Sequence, residues 1–347
     1  MVQAIPKTML ALRQHAPVPE DALSDPEKIK QYVSLETVPV PEPGPGQVLV
    51  KVSRGSLNPN DLYHIKGVYS STFDYPYPRG MGFEGAGVVV ASGKGWLGKL
   101  RQGKGVSFYS KNGLFAEYVL ADAMQLIVLP EAVGFKEAAS SVANPITGTG
   151  MARWAKQSGS EYFFITAAAG VVATMTMRVA RSYGLKPIAI VRREEQAEVC
   201  RQEGASHVLN QTDPDFQEQL AKLCAEVNCT YGFDSIGGHM PLTLMRAMPQ
   251  GSTLCMYGYF DTGPMQFEPQ KLFNGWKVDY FETEYYLASL SLLSRYRLSR
   301  EVVNNINGLF QPRIHKTFAL KDALQAYTYY SQNMTAGKVQ IVADPSL

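Results

Sequence analysis

The segment Thr166-Ala-Ala-Ala-Gly170-Val-Val-Ala173 lies between a β-rich run, Tyr-Phe-Phe-Ile-Thr, and the helix-compatible Ala-Thr-Met-Thr-Met. A strand, a turn of small residues and a helix N-terminus, in that order, can cradle a pyrophosphate: the backbone comes close and its N–H groups point at the anion. The backbone of Ala169, Gly170, Val171 and Val172 is therefore the expected phosphate contact. Of the glycines such a turn usually carries only Gly170 is present, with Ala167 and Ala173 at the flanking small positions. Arg192 and Arg193 follow the next apolar run, 22 and 23 residues after Gly170. A dinucleotide fold reads the adenosine ribose at that place, with a carboxylate for a free 2′-hydroxyl or a guanidinium for a 2′-phosphate. NADPH is the expected cofactor, and a solvated arginine pair at a strand end is the plain alternative.

These groups need a particular scaffold. Strands and helices alternate from about residue 135: strands at 162–166, 187–191, 207–209, 231–234 and 253–257, with helices over about 172–183, from Glu194, over 215–227 and near 240–248. That alternation predicts a doubly wound parallel sheet of Rossmann type, an α/β fold, over residues 139–299. Before it, a dense Pro/Gly cluster at 39–46 precedes Val48-Leu-Val-Lys-Val52. Short apolar runs punctuated by glycine then continue to about Pro130, and they predict a small β-barrel-like domain over 1–138. A helical stretch, Lys321 to Gln332, and a last strand, Lys338–Val342, are expected to complete that first domain from 300–347.

Composition narrows the function class. With 33 Lys plus Arg against 31 Asp plus Glu, the net charge of +2 supplies no reason to expect nucleic acid or anionic lipid. Charged residues are 18% and hydrophobic ones 45%, so much apolar surface must be covered by a domain contact, a subunit or a ligand. The longest uncharged run, Tyr162 to Met177, has sixteen residues, short of a membrane span, and no membrane insertion is expected. Cys200, Cys224, Cys229 and Cys255 show no disulfide-framework or zinc-finger spacing, which favours a reducing compartment. The triplets at Asn210, Asn228 and Asn333 then read as chance glycosylation matches. The cytoplasm is the expected location. Lys7 and Arg13, with no acid before Glu20, keep a mitochondrial transit segment as the alternative.

Several blocks, taken in order, resemble one family. They are Asn58-Pro59-Asn60-Asp61 followed by Lys66-Gly67-Val68-Tyr69, Gly82-Phe83-Glu84-Gly85-Ala86-Gly87, Phe115-Ala-Glu-Tyr118, Asn144-Pro-Ile-Thr147, Phe233-Asp-Ser-Ile-Gly-Gly238 and Gly337-Lys338. The chain resembles the medium-chain dehydrogenase/reductase superfamily, in its zinc-free quinone oxidoreductase and enoyl reductase branch, from about Lys7 onward. The resemblance implies a GroES-like first domain, a small-molecule substrate and a homodimer. Zinc-dependent relatives place a cysteine near Asn58 and a histidine at Phe83. This chain has no cysteine before Cys200 and its five histidines fall in no ligand pattern, so no catalytic zinc is expected. The resemblance makes Tyr69 the proton donor, a role that suits a phenol with a free pKa near ~10. Asn58 is either a substrate- or cofactor-fixing amide or a turn cap, and Asp61 is expected to cap the short helix after Asn58. Thr147 corresponds to a threonine near the nicotinamide, and Tyr257-Gly258 falls where such folds pass the nicotinamide. Lys338 either reaches the cofactor or is solvated, and His64 is expected at the surface.

Two functions of different class follow. The first is an NADPH-dependent reductase of an activated C=C or of a quinone. The second is a non-catalytic assembly protein on the same scaffold, suggested by the glycine-poor turn in which branched Val171 replaces a glycine of many relatives.

Overall fold

The computed structural model describes residues 4–68, 76–261 and 263–347. The chain divides into two compact units, Met1–Ala143 with Ser299–Leu347, and Asn144–Leu298.

The first unit opens with β1 (Thr8–Gln14), α1 (Pro26–Ile29) and β2 (Val33–Pro39), then β3 (Gln47–Ser56), α2 (Pro59–Ile65), β4 (Arg79–Gly80) and β5 (Glu84–Ser92). It continues through α3 (Trp96–Arg101), β6 (Gly105–Tyr109), β7 (Tyr118–Asp122), β8 (Ile127–Val128) and α4 (Phe135–Ala138). Valines at alternate positions of β3 (Val48, Val50 and Val52) are fully buried with Val89 of β5 and with Val106 and Phe108 of β6. This is the period-2 burial expected of a sheet with one face on a core.

The second unit begins with α5 (Ala143–Gln157) and β9 (Tyr162–Ile165), then α6 (Val171–Ser182), β10 (Lys186–Val191), α7 (Glu194–Gln202), β11 (His207–Asn210) and α8 (Phe216–Glu226). After these come β12 (Tyr231–Asp234), α9 (Met240–Ala247), β13 (Thr253–Met256), α10 (Pro269–Phe273), β14 (Lys277–Tyr280), α11 (Thr283–Ser289) and α12 (Leu292–Asn304), whose end returns to the first unit. Its six strands are ordered β11-β10-β9-β12-β13-β14, all parallel. The order reverses between β9 and β12, and in open α/β sheets ligands bind beyond the carboxyl ends of the strands at such a switch point. Two aromatic side chains of the segment 281–286 are core: Phe281 and Tyr286 are buried over α5, where a Cβ on Gly150 would lie 2.5 Å from Phe281 Cζ, while Tyr285 is exposed. Only glycine permits that approach.

The chain then completes its first unit with β15 (Ile314–Ala319), α13 (Ala323–Gln332) and β16 (Lys338–Val342). The seven-stranded sheet runs β15-β16-β3-β5-β6-β8, with β7 paired to β3. Ala326, Tyr327, Val339 and Ile341 share a core with Leu12, Ile29, Leu57, Ile65 and Phe115. The last fifty residues are therefore structural members of this unit.

Candidate functional site

Asp234, at the end of β12, organises the turn that follows β9. Its fully buried carboxylate accepts the Thr166 hydroxyl (2.6 Å) and the N–H groups of Ile236 (3.1 Å) and Gly237 (2.9 Å). Thr166 Oγ1 in turn accepts the Ser235 N–H at 3.0 Å. The Tyr257 hydroxyl donates to the Thr166 carbonyl at 2.7 Å, and Ala168 N–H reaches Ile190 of β10 at 3.2 Å. Burial raises the Asp234 carboxyl above its ordinary value, and its hydrogen bonds act against that rise. Burial likewise raises the Tyr257 phenol, which therefore stays protonated as a donor.

Braced in this way, Ala167 holds a left-handed backbone at φ 49°, a conformation that costs a side chain about 1 kcal/mol. Strain of this kind persists where surrounding contacts over-determine it, and it gathers at ligand clamps. The residue with positive φ is thus an alanine, while Gly170 is extended at φ −70° and forms the N-cap of α6. No side chain caps that helix, so the amides of its first turn are available to an anion. A Cβ on Gly170 would sit 3.1 Å from the Ala167 carbonyl, a close approach that favours glycine. Ala169 is buried, whereas Gly170, Val171 and Val172 are half-buried. The turn fits a pyrophosphate.

Arg192 and Arg193 are exposed at the end of β10. Gln196 Oε1 accepts the Arg192 N–H at 3.0 Å, and Arg193 is the N-cap of α7. Thr147, half-buried on α5, shares a 2.7 Å hydrogen bond with Thr283 of α11. Gly258 packs on Ser235, where a Cβ would approach to 3.1 Å.

The first unit holds a second polar cluster. Lys338 Nζ donates to Asn58 Oδ1 at 2.6 Å and to the Leu57 carbonyl at 3.4 Å. Asn58 Nδ2 donates to Glu84 Oε2 at 2.9 Å, so the amide bridges a buried ion pair whose charged atoms are 3.8 Å apart. Glu84 Oε1 accepts the N–H groups of Val142 and Ala143, both at 2.8 Å, at the start of α5. The solvated reading of Lys338 is corrected, since Gly337 and β16 carry its side chain inward, where burial lowers its pKa and Glu84 and Asp61 oppose that fall. Asn58 is the N-cap of α2, and its own N–H is taken by Asp61 Oδ2 at 2.8 Å. Sequence reasoning assigned no role to Glu84. Its burial is set by Val142 and Ala143, some sixty residues away in the chain, which no local pattern reveals.

His64 is also corrected from surface to interior. It is buried on α2 with its ring edge-on to Phe83 at 4.8 Å between centroids, and burial depresses it to about 3, so it is neutral. Tyr69 lies outside the described residues.

Asp61 carries two carboxylate oxygens into a fully buried place, and its Oδ1 has no hydrogen-bond partner among the described residues. Burial lifts its pKa from 3.8 to about 7. The folded state therefore holds this proton more tightly than the unfolded chain. The associated stability is complete below the unfolded value and is lost as pH rises through the folded one. Asp61→Asn keeps an acceptor for the Asn58 N–H and carries no charge. Thermal unfolding followed against pH is expected to flatten between the two pKa values. The gain near pH 8 has an upper bound of about 4 kcal/mol, reduced by burying an amide NH2. An unchanged profile would remove Asp61 as the titrating group.

A zinc ion does not fit here. The two positions matching ligands in zinc-dependent relatives hold Asn58, bound to an ammonium, and Phe83, stacked on Tyr109 at 5.6 Å. Among the described residues no three His, Cys, Asp or Glu side chains are grouped to hold a metal. No helix among them is long and apolar enough to cross a membrane.

Comparison with known proteins agrees with this architecture. Residues 171–281 match the family model of zinc-binding dehydrogenases, and residues 44–131 match that of alcohol dehydrogenase GroES-like domains. The synaptic vesicle membrane protein VAT-1 homolog of Mus musculus is 25% identical over 338 residues, covering 90% of this chain and 81% of its own. A quinone oxidoreductase of Pseudomonas aeruginosa is 30% identical over 199 residues, 56% of this chain and 60% of its own. A crystal structure from Mesorhizobium loti, assigned as an NADPH:quinone reductase, superposes with a TM-score of 0.86 at 28% identity, covering 98% of this chain and 100% of that one.

Proposed function

Because the chain is an oxidoreductase of the medium-chain dehydrogenase/reductase superfamily, in its zinc-free quinone oxidoreductase branch, we propose that it is an NADPH-dependent reductase of an activated C=C, in an enoyl thioester or alkenal, or of a quinone. The observation that carries this reading is the uncapped N-terminus of α6 at the switch point of the parallel sheet, with two arginines beyond the neighbouring strand β10. When bound, the nicotinamide supplies a hydride. The backbone of residues 169–172 receives the pyrophosphate, and Arg192 with Arg193 receives the 2′-phosphate. Thr147, Tyr257 and Gly258 flank the course of the cofactor towards its nicotinamide. An enoyl substrate held there would accept that hydride at its β-carbon, with the electron pair of the C=C displaced to the α-carbon. Tyr69 then gives that carbon its proton. For a quinone the hydride and a proton yield the hydroquinone.

The test is binding followed by turnover. NADPH titrated into the purified chain is expected to bind, and its oxidation to depend on an added enone or quinone. Tyr69→Phe is expected to retain cofactor affinity and lose about a hundredfold in enone turnover. Equal turnover in the variant would take Tyr69 out of the mechanism and favour quinone reduction. Absence of NADPH binding would leave the second reading, a non-catalytic assembly protein, whose motivating feature is the strained, glycine-poor turn.

A homodimer is part of the proposal. β14 is the outer strand of its sheet, its residues Lys277 to Tyr280 are all exposed, and Phe273 and Tyr285 stand exposed in the flanking helices. An open edge of this kind is a template for pairing with a second copy. Sedimentation equilibrium is expected to report a dimer that Val278→Glu dissociates; a monomeric parent chain would refute the pairing.

A further inference from the structure

Helix α3 shows two faces. Leu97 and Gly98 face inward: Leu97 packs against the valine core, and a Cβ on Gly98 would lie 3.1 Å from Ser92 Cβ and 3.4 Å from Val48 Cγ1. Trp96, Lys99 and Leu100, spaced i, i+3 and i+4, form the outer face, with Trp96 76% and Leu100 60% exposed. Met124, 73% exposed, emerges at the same end of the unit. There Ala123 N–H donates to the Gly46 carbonyl (3.0 Å) and Gly46 N–H to the Lys94 carbonyl (2.9 Å).

The surrounding charge has one sign along the chain. Residues 85–116 contain Lys94, Lys99, Arg101, Lys104 and Lys111 and no Asp or Glu. Lys94, Lys99 and Lys104 are exposed beside the apolar tip, and Arg101 is half-buried. Asp122, two residues before Met124, has an oxygen accepting the Met124 N–H at 2.8 Å, and exposed Glu42 precedes the Pro43-Gly44 backbone that packs against Gly93. The overall charge of +2 averages this asymmetry away.

We propose that this end of the first unit docks on the surface of anionic lipid membranes. An indole with two aliphatic neighbours suits the headgroup level of a bilayer, and a set of ammonium groups around them meets lipid phosphates and carboxylates. Each basic side chain near an anionic surface contributes attraction that salt screens. This tip lies on the membrane surface.

The experiment uses the full chain and vesicles of phosphatidylcholine with or without phosphatidylserine. Cosedimentation with the phosphatidylserine vesicles is expected, together with a blue shift of tryptophan emission, and added salt should weaken both. The triple variant Lys94→Glu, Lys99→Glu, Lys104→Glu is expected to lose about a hundredfold in affinity or more. Trp96→Ser should lose both the emission shift and most of the binding. Circular dichroism and NADPH titration of each variant check that its fold is intact. Equal binding to neutral and anionic vesicles, no binding to either, or unaltered binding by the triple variant would overturn the proposal. So would self-association of the parent chain that Trp96→Ser abolishes, since it would assign the tip to a second copy.

Discussion

Glu84→Ala is expected to destabilise the first unit by about 3–5 kcal/mol. Glu84 is fully buried, and its two oxygens serve Asn58 Nδ2, Lys338 Nζ and the N–H groups of Val142 and Ala143. Alanine would leave the ammonium of Lys338, itself buried, with the Asn58 Oδ1 and Leu57 carbonyl acceptors but no neighbouring Glu84 carboxylate. An uncompensated buried charge costs far more than the pair contributed, and each buried amide left unpaired adds about 1–3 kcal/mol unless water enters. Urea unfolding monitored by circular dichroism reads the loss. Glu84→Gln retains an acceptor for both N–H groups and is expected to lose less. Combining it with Lys338→Met removes both charges, and that double variant is expected to exceed Glu84→Ala in stability. Additive losses would show that the pair is not coupled. The amides of Val142 and Ala143 should also exchange their hydrogens faster in Glu84→Ala, because Glu84 Oε1 is their acceptor.

The double variant Arg192→Ala, Arg193→Ala is expected to lower NADPH affinity by about a hundredfold while NADH affinity changes little. Each guanidinium hydrogen bond to a phosphate contributes about 1.5–3 kcal/mol, and partial exposure with salt screening brings two of them towards the lower end. The positions are favourable for this. β10 ends at Val191, and Gln196 Oε1 holds the Arg192 N–H, which orients the backbone at the strand end. Fluorescence titration with both dinucleotides at fixed salt measures the preference. An unaltered ratio would make the arginines a solvated pair.

The second unit was largely legible from its residues. Buried parallel strands such as Tyr162–Ile165 and Tyr231–Asp234 are short apolar runs bounded by turns, and each helix between them carries one apolar face. These signals are local, so they place the turn at residues 166–173 and the arginines after β10 without tertiary knowledge. β14 escaped because an exposed edge strand, Lys-Val-Asp-Tyr, has neither a buried run nor an alternation to read.

By itself the sequence determined the α/β class, the return of the last segment to the first unit, the turn of small residues between β9 and α6 and the absence of zinc-ligand residue types at the matching positions. Those properties depend on residue type and near-neighbour spacing. Only the tertiary structure decided that Lys338 is buried against Asn58, 280 residues distant, that Glu84 ties both to the start of α5, and that His64 is an interior neutral ring. It also decided that an alanine, Ala167, takes the left-handed place in the turn under the brace of Asp234, Thr166 and Tyr257. Whether a charged side chain is solvated or paired depends on which distant backbone folds over it, and pairing across hundreds of residues leaves no periodic trace in the chain.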